Sequence, residues 1–200
     1  MKVSDVLASL RARMRDDNAQ FTKQGDEYLI SLIYFWQNQI LSEFAQNIKE
    51  IKATLNDTDE VELPFEILRV CAVFLGTQPV KLSSFEASIQ KGKHAPLCCF
   101  EKSQQIFGFS RKVSGECTIY AVKKAFITDK SDEMTLSDDF INLLVLSVFL
   151  DLMKMQVSPD NTQRLDYFER SVVERERGRI RAFLNCKQSA QNFTSPFIRA

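Results

Sequence analysis

Residues 140–155, FINLLVLSVFLDLMKM, and 161–184, NTQRLDYFERSVVERERGRIRAFL, decide how this chain folds. The first stretch is as long as a helix, and only Asn142, Ser147, Asp151 and Lys154 are polar. A helix that is apolar nearly all round has no face to give to water, so it must be enclosed. Pro159 then interrupts the run. The second stretch carries Leu165, Phe168, Val172, Ile180, Phe183 and Leu184 as a discontinuous apolar stripe. Arg164, Arg170, Arg175, Arg177, Arg179 and Arg181 alternate there with Asp166, Glu169, Glu174 and Glu176. Together they predict an antiparallel helical hairpin with a charged outer face, a surface suited to assembly with other macromolecules.

Upstream, Ser4 is a natural N-cap for a short helix through Arg15, with Leu7, Leu10 and Met14 on one face and Arg11, Arg13 and Arg15 at the dipole's negative end. A long core helix is expected from Gly25 or Asp26 to about Leu55. Tyr28, Leu29, Leu32, Ile33, Phe35, Trp36, Ile40, Leu41, Phe44, Ile48 and Ile51 recur there at helical intervals. Asn56 to Asp59 would end it, because short polar side chains compete for backbone hydrogen bonds.

Strand signals follow. Leu63-Pro64-Phe65 is biased to extended backbone, and Ile67 to Leu75 turns through Gly76 to Pro79 into Val80 to Leu82 as a hairpin. Ser84 to Gln90 suits a helical turn and Lys91 to Pro96 a loop. A second hairpin is predicted from Ile106–Lys112 and Glu116–Val122 around Ser114-Gly115, with Gly108 marking a bulge or a close contact. Ser137-Asp138-Asp139 starts the enclosed helix. The expected fold class is α+β and mainly helical: a bundle of about four helices with a small antiparallel sheet inserted between the second and third long helices. The domain spans 1–185 with the β insertion at about 61–127, and 186–200, which holds no acidic residue, is a tail that stays mobile until docked.

Composition excludes several classes. Net charge is zero, 26 basic residues against 26 acidic, so any DNA contact must come from a local patch or from a patch repeated in a ring of copies. The opening MKVSDVLASLRARMRDD holds no signal-type apolar core, which predicts a cytosolic chain. Residues 140–155 are too short to span a bilayer, which takes about 20 apolar residues, so no membrane association is expected. Five cysteines in no repeated pattern are read as reduced core filler.

No constellation of catalytic residues stands out. His94, the single histidine, lies near Cys98 and Cys99 and raises a Cys-His nucleophile or a zinc site. Adjacent cysteines with one histidine do not make a tetrahedral ligand set, and a buried cysteine behaves as a small hydrophobe. Asp16/Asp17 and Asp138/Asp139 sit at helix ends, where capping accounts for them. The six glycines form no phosphate-binding loop. Neither cofactor nor metal is expected, and the chain reads as a protein that is not an enzyme. Phe193, Pro196, Phe197 and Ile198 are apolar residues with no core to enter, which makes the tail a candidate docking segment, the alternative being a plain disordered end.

Four stretches carry a resemblance to a known family: Val6 to Arg11 followed by Asp26 to Ile30 and Trp36 to Ile40; Val61 to Val70; Leu136 to Ile141; and the charged helix ending at Leu184. In order and spacing they resemble the head-to-tail connector, or adaptor, proteins of tailed bacteriophages, over most of residues 3–184. The short-tailed phage version is similar in length and order. Lys91 to Gln105 has no counterpart in that pattern.

The resemblance implies a non-catalytic virion protein, made in the host cytoplasm, that docks on the portal as a ring of about twelve copies and extends the DNA channel towards the tail. Its partners would be the portal protein, its own copies, the tail or next neck protein, and packaged DNA without sequence preference. Arg170, Arg175, Arg177, Arg179 and Arg181 become candidates for ring contacts or the channel wall, and Phe193, Pro196, Phe197 and Ile198 for portal docking. The alternative is a soluble nucleic-acid-binding or regulatory module, which would bind as a free protomer with steep salt dependence.

Overall fold

The computed structural model describes residues 1–14, 25–84, 96–156 and 162–193. Two compact units divide the chain: residues 1–40 with 126–200, and residues 41–125. The first holds α1 (Val3–Met14), most of α2 (Asp26–Glu43), α3 (Asp138–Gln156), α4 (Thr162–Phe168), a π-helical segment (Glu169–Val173) and α5 (Glu174–Phe193). The second holds β1 (Ile48–Glu62), β2 (Ile67–Leu75), β3 (Gln78–Pro79), β4 (Lys81–Leu82), β5 (Cys98–Glu101) and β6 (Ile106–Lys123). These six strands make one mixed sheet that curls into a nearly closed barrel. The expectation of a mainly helical bundle with a small antiparallel sheet is therefore overturned: the sheet is large, it contains a parallel pair, β4 with β5, and it has its own core.

The misreading begins at the end of α2. Ile48, Ile51 and Leu55 continue a helical interval, yet the helix stops at Glu43. The Gln46 amide donates to the Leu41 carbonyl at 3.0 Å and the Ala45 amide to the Ser42 carbonyl at 3.5 Å. That pair of bonds is a Schellman motif, and Ala45 takes the left-handed position at φ 50°. Glycine normally marks that position because a Cβ disfavours it. With alanine there, the sequence conceals the stop. From Ile48 onward the chain is β1, and Ile51, Leu55, Val61 and Leu63 enter the barrel core.

The predicted hairpin at Ser114-Gly115 is also corrected. β6 runs unbroken from Ile106 to Lys123, and both of its halves pair with β1, from Glu62↔Ile106 to Ile48↔Val122. Gly115, at φ 118°, lies opposite the bulge in β1, where Asp57 has φ 50° and its amide donates to Ser114 Oγ at 2.9 Å. A bulge on one strand faces a bend in the other, which turns a long ribbon without ending it. β2 and β5 pair with opposite ends of β6, and β4 joins β5. Gly108 is the close contact that the sequence suggested: a Cβ there would lie 2.7 Å from the Phe100 ring.

In the helical unit α3 is the enclosed rod, with Leu143, Leu144 and Val148 fully buried. Its antiparallel partner begins beside the Lys154–Glu169 ion pair at 3.1 Å and reaches Lys187, 4.0 Å from Asp139. The π segment explains the discontinuous stripe. Among the described side chains of the last helix, Leu165, Val173 and Ile180 are the buried ones, spaced by eight and then seven. Two α turns take about 7 residues, and a π turn absorbs one more. The segment Glu169–Val173 therefore keeps Leu165 on the same side as Val173 and Ile180. The backbone stays helical through Phe193, beyond the expected boundary at Leu184. Among the described residues no helix is long and apolar enough to cross a membrane.

Candidate functional site

The arginine series divides by what each side chain already holds. Arg179 makes a two-pronged contact with Glu176 at 2.9 and 2.8 Å, and Arg177 reaches Glu174 at 2.5 Å. Glu176 is only 11% exposed at its side chain. The Arg179 hydrogen bonds, then one from Asn142 and the charges of Arg179 and Arg13, hold its carboxyl below the usual range. Arg13 in turn donates to Asn142 at 2.8 Å. Thus Arg179 and Glu176 belong to a network that ties α1, α3 and α5 together. Arg170 and Arg175 are exposed and carry no hydrogen bond or ion pair among the described residues. Arg181 is exposed as well. Of the five candidates, Arg170 and Arg175 are the two cations to which no other described residue is bonded.

Apolar residues at the surface of the helical unit add to them. Phe35 is 49% exposed, Met155 59% and Tyr167 72%. The edge of Trp36 packs against Phe35, its Nε1 donates to Asp151 Oδ2 at 2.6 Å, and the Tyr28 hydroxyl lies 3.0 Å from Met155 Sδ. The sequence placed Tyr28, Phe35 and Trp36 in a core stripe. Leu29, Ile33, Ile40 and Leu41 do form that core, and the remaining aromatics flank it. A stripe wider than one buried face was the available signal, since exposed large apolar patches mark interaction surfaces.

Phe193 lies in the last turn of α5, while Pro196, Phe197 and Ile198 fall outside the described residues. His94 and Asp16/Asp17 fall outside them too.

The cysteine pair is placed by β5. Cys98 is 1% and Cys99 0% exposed, and Cys99 Sγ faces the Lys81 carbonyl at 3.5 Å. Burial, reinforced by the neighbouring Cys98 and Cys117, pushes the Cys99 thiol up to about 12, and burial pushes Cys117 up to about 11. Such thiols are not nucleophiles at neutral pH. In the folded protein a thiol reagent at neutral pH should modify exposed Cys186 first and leave Cys98, Cys99 and Cys117 untouched until denaturant is added. Fast modification of Cys99 would contradict this. The fold favours the neutral thiols, so their contribution to stability is complete below the ordinary thiol value of about 9 and is lost as the pH rises through about 11 to 12. Among the described residues no group of three or more His, Cys, Asp or Glu is placed to hold a metal ion.

The barrel carries a groove of about 520 Å³, open to solvent, on the outer face of β1, β6 and β2. Phe74 and Tyr120 meet edge to face on its floor, and the Tyr120 hydroxyl lies 3.2 Å from Glu50 Oε1. It is a shallow surface with mixed charge, and it converges no set of acid, base and nucleophile. No family model matches this chain, and no curated protein matches its sequence.

Proposed function

We propose that this chain is a structural, non-catalytic protein of the phage virion, an adaptor that forms a ring on the portal and carries the DNA channel towards the tail. The observation that carries the reading is the chain order around the enclosed rod: two helices, an inserted β unit, then α3 packed against an arginine-bearing helix whose Arg170 and Arg175 are uncommitted. This is the order of the family that the sequence resembles, although the β unit is larger than expected. A neutral protomer suits the role, because closed symmetry turns one small basic patch into a continuous band. Exposed Phe35, Met155 and Tyr167 supply apolar side chains that contacts with neighbouring copies would cover.

The partners in this reading are the portal protein, further copies of the chain, the next neck or tail protein, and DNA bound through its phosphates. Phe193, Pro196, Phe197 and Ile198 are the portal-docking residues. Removing residues 194–200 keeps every described helix, so the shortened protein should melt as the parent does and bind purified portal at least about tenfold more weakly. Pull-down and negative-stain imaging with portal measure this. Unchanged binding would remove the tail from the docking surface, and a failure of the full chain to bind portal would overturn the reading itself. Tight, salt-sensitive binding of DNA by the free protomer would favour a nucleic-acid-binding module instead.

A further inference from the structure

Among the described residues β1 pairs with β6 along one side only, and its other side is an open strand edge. The hydrogen-bond phase is fixed at the start of the ladder, where the Lys123 amide donates to the Asn47 carbonyl at 3.2 Å, in register with Ile48↔Val122. Odd-numbered residues from Asn47 to Leu55 therefore turn their backbone groups to β6, and Ile48, Glu50, Lys52 and Thr54 turn theirs outward. Among the described residues nothing bonds those outward amides and carbonyls. Their side chains are exposed, Glu50 at 44% and Lys52 at 73%.

Open edges are normally guarded by charge, since a lysine repels a copy of itself. Here the guard is self-complementary. Glu50 and Lys52 alternate on one face, 3.5 Å apart along the strand. A second β1 laid antiparallel about a two-fold axis at Ile51 brings Glu50 opposite Lys52 of the other copy and Lys52 opposite its Glu50. Ile48 then meets Thr54. Each of these pairs joins two outward-facing residues, so each exchanges backbone hydrogen bonds. Moving the axis to residue 50 sets glutamate against glutamate, and moving it to 52 sets lysine against lysine. A shift of one residue is excluded by the phase, because one strand's outward groups would face residues whose groups are already used.

We propose that the outer edge of β1 is a homotypic docking edge, and that two copies of this chain join through it antiparallel, in the register centred on Ile51. The contact is isologous, so it closes at two copies and is distinct from the head-to-tail contacts of a ring. It goes beyond the adaptor reading and does not depend on it. With a single strand edge on each side the contact is small, and the association is of the weak, reversible class.

Sedimentation equilibrium of the full chain over a dilution series tests it. The parent should show a reversible two-copy equilibrium. Glu50→Lys and Lys52→Glu should each weaken it at least tenfold, by setting like charges face to face, and the double swap should restore it. Far-UV circular dichroism should not change, because both side chains are exposed. A parent that stays single throughout, or single variants that associate like the parent, would overturn the proposal. A double swap that remains dissociated would overturn the register. Larger closed assemblies indifferent to all three variants would support the ring while overturning the edge contact.

Discussion

Deleting Gly178 should lower the melting temperature by roughly 6–12 °C, whereas deleting Ser171, seven residues earlier, should shift it by only a few degrees. The asymmetry follows from the π segment at Glu169–Val173. Removing Ser171 lets the helix run as plain α, because the spacing from Leu165 to Val173 falls from eight to seven and both residues still face α3. Glu174 with Arg177 and Glu176 with Arg179 keep their spacing of three. Removing Gly178 instead turns everything after it by about 100°. Ile180, 1% exposed, would swing out of its seat, Phe183 and Leu184 would follow, and the Glu176–Arg179 pair would lose its reach. Burying an aliphatic side chain contributes about 1.5–3 kcal/mol, so the loss should exceed about 3 kcal/mol. Thermal melts of the two deletions measure this, and equal melting temperatures would show that the π turn does not set the register.

Phe107→Ala should cost about 3–5 kcal/mol, a large share of the 5–15 kcal/mol typical of a folded domain. Phe107 is fully buried in the barrel core and meets Phe109 edge to face at 5.7 Å. It sits where β6 is flanked by β1 through Val61 and by β5 through Glu101. A cavity there removes contacts from three strands at once. Amide exchange should localise the damage, with β1 and β6 losing protection before α3 does, since Phe107 belongs to the core cluster that those strands build. Uniform loss of protection across both units would show instead that they melt as one.

How much was legible depended on whether a signal was local. The start of α2, β2 and α3 lie where the apolar intervals and capping residues put them, because there the period and the punctuation agree, while α1 begins at Val3, so that Lys2 and not Ser4 holds its cap position. β1 was hidden because Ile48, Ile51 and Leu55 satisfy a helical interval, whereas in the strand only Ile51 and Leu55 share the buried side and Ile48 is exposed. The deciding residue, Ala45, adopts a left-handed conformation that its side chain disfavours. Ser114-Gly115 looks like a two-residue turn by composition, and only the partner strand and its bulge make it a bend. At the candidate site the residue types were visible and their commitments were not. Nothing in the pattern of the last helix tells that Arg179 is engaged with Glu176 while Arg170 and Arg175 stand free, for that depends on Asn142 and Arg13 arriving from elsewhere in the chain.

At the root of the barrel the Asn47 carbonyl accepts from the Lys123 amide at 3.2 Å, and the Asn47 side-chain amide donates to the Lys123 carbonyl at 3.1 Å. The polypeptide thus enters and leaves the inserted unit through a single buckle. Whatever happens above the buckle, a lengthened loop, a lost strand or a new binding lobe, need not disturb the spacing between its two threads. The two ends of the β unit are thereby pinned by hydrogen bonds that do not depend on the length of its loops.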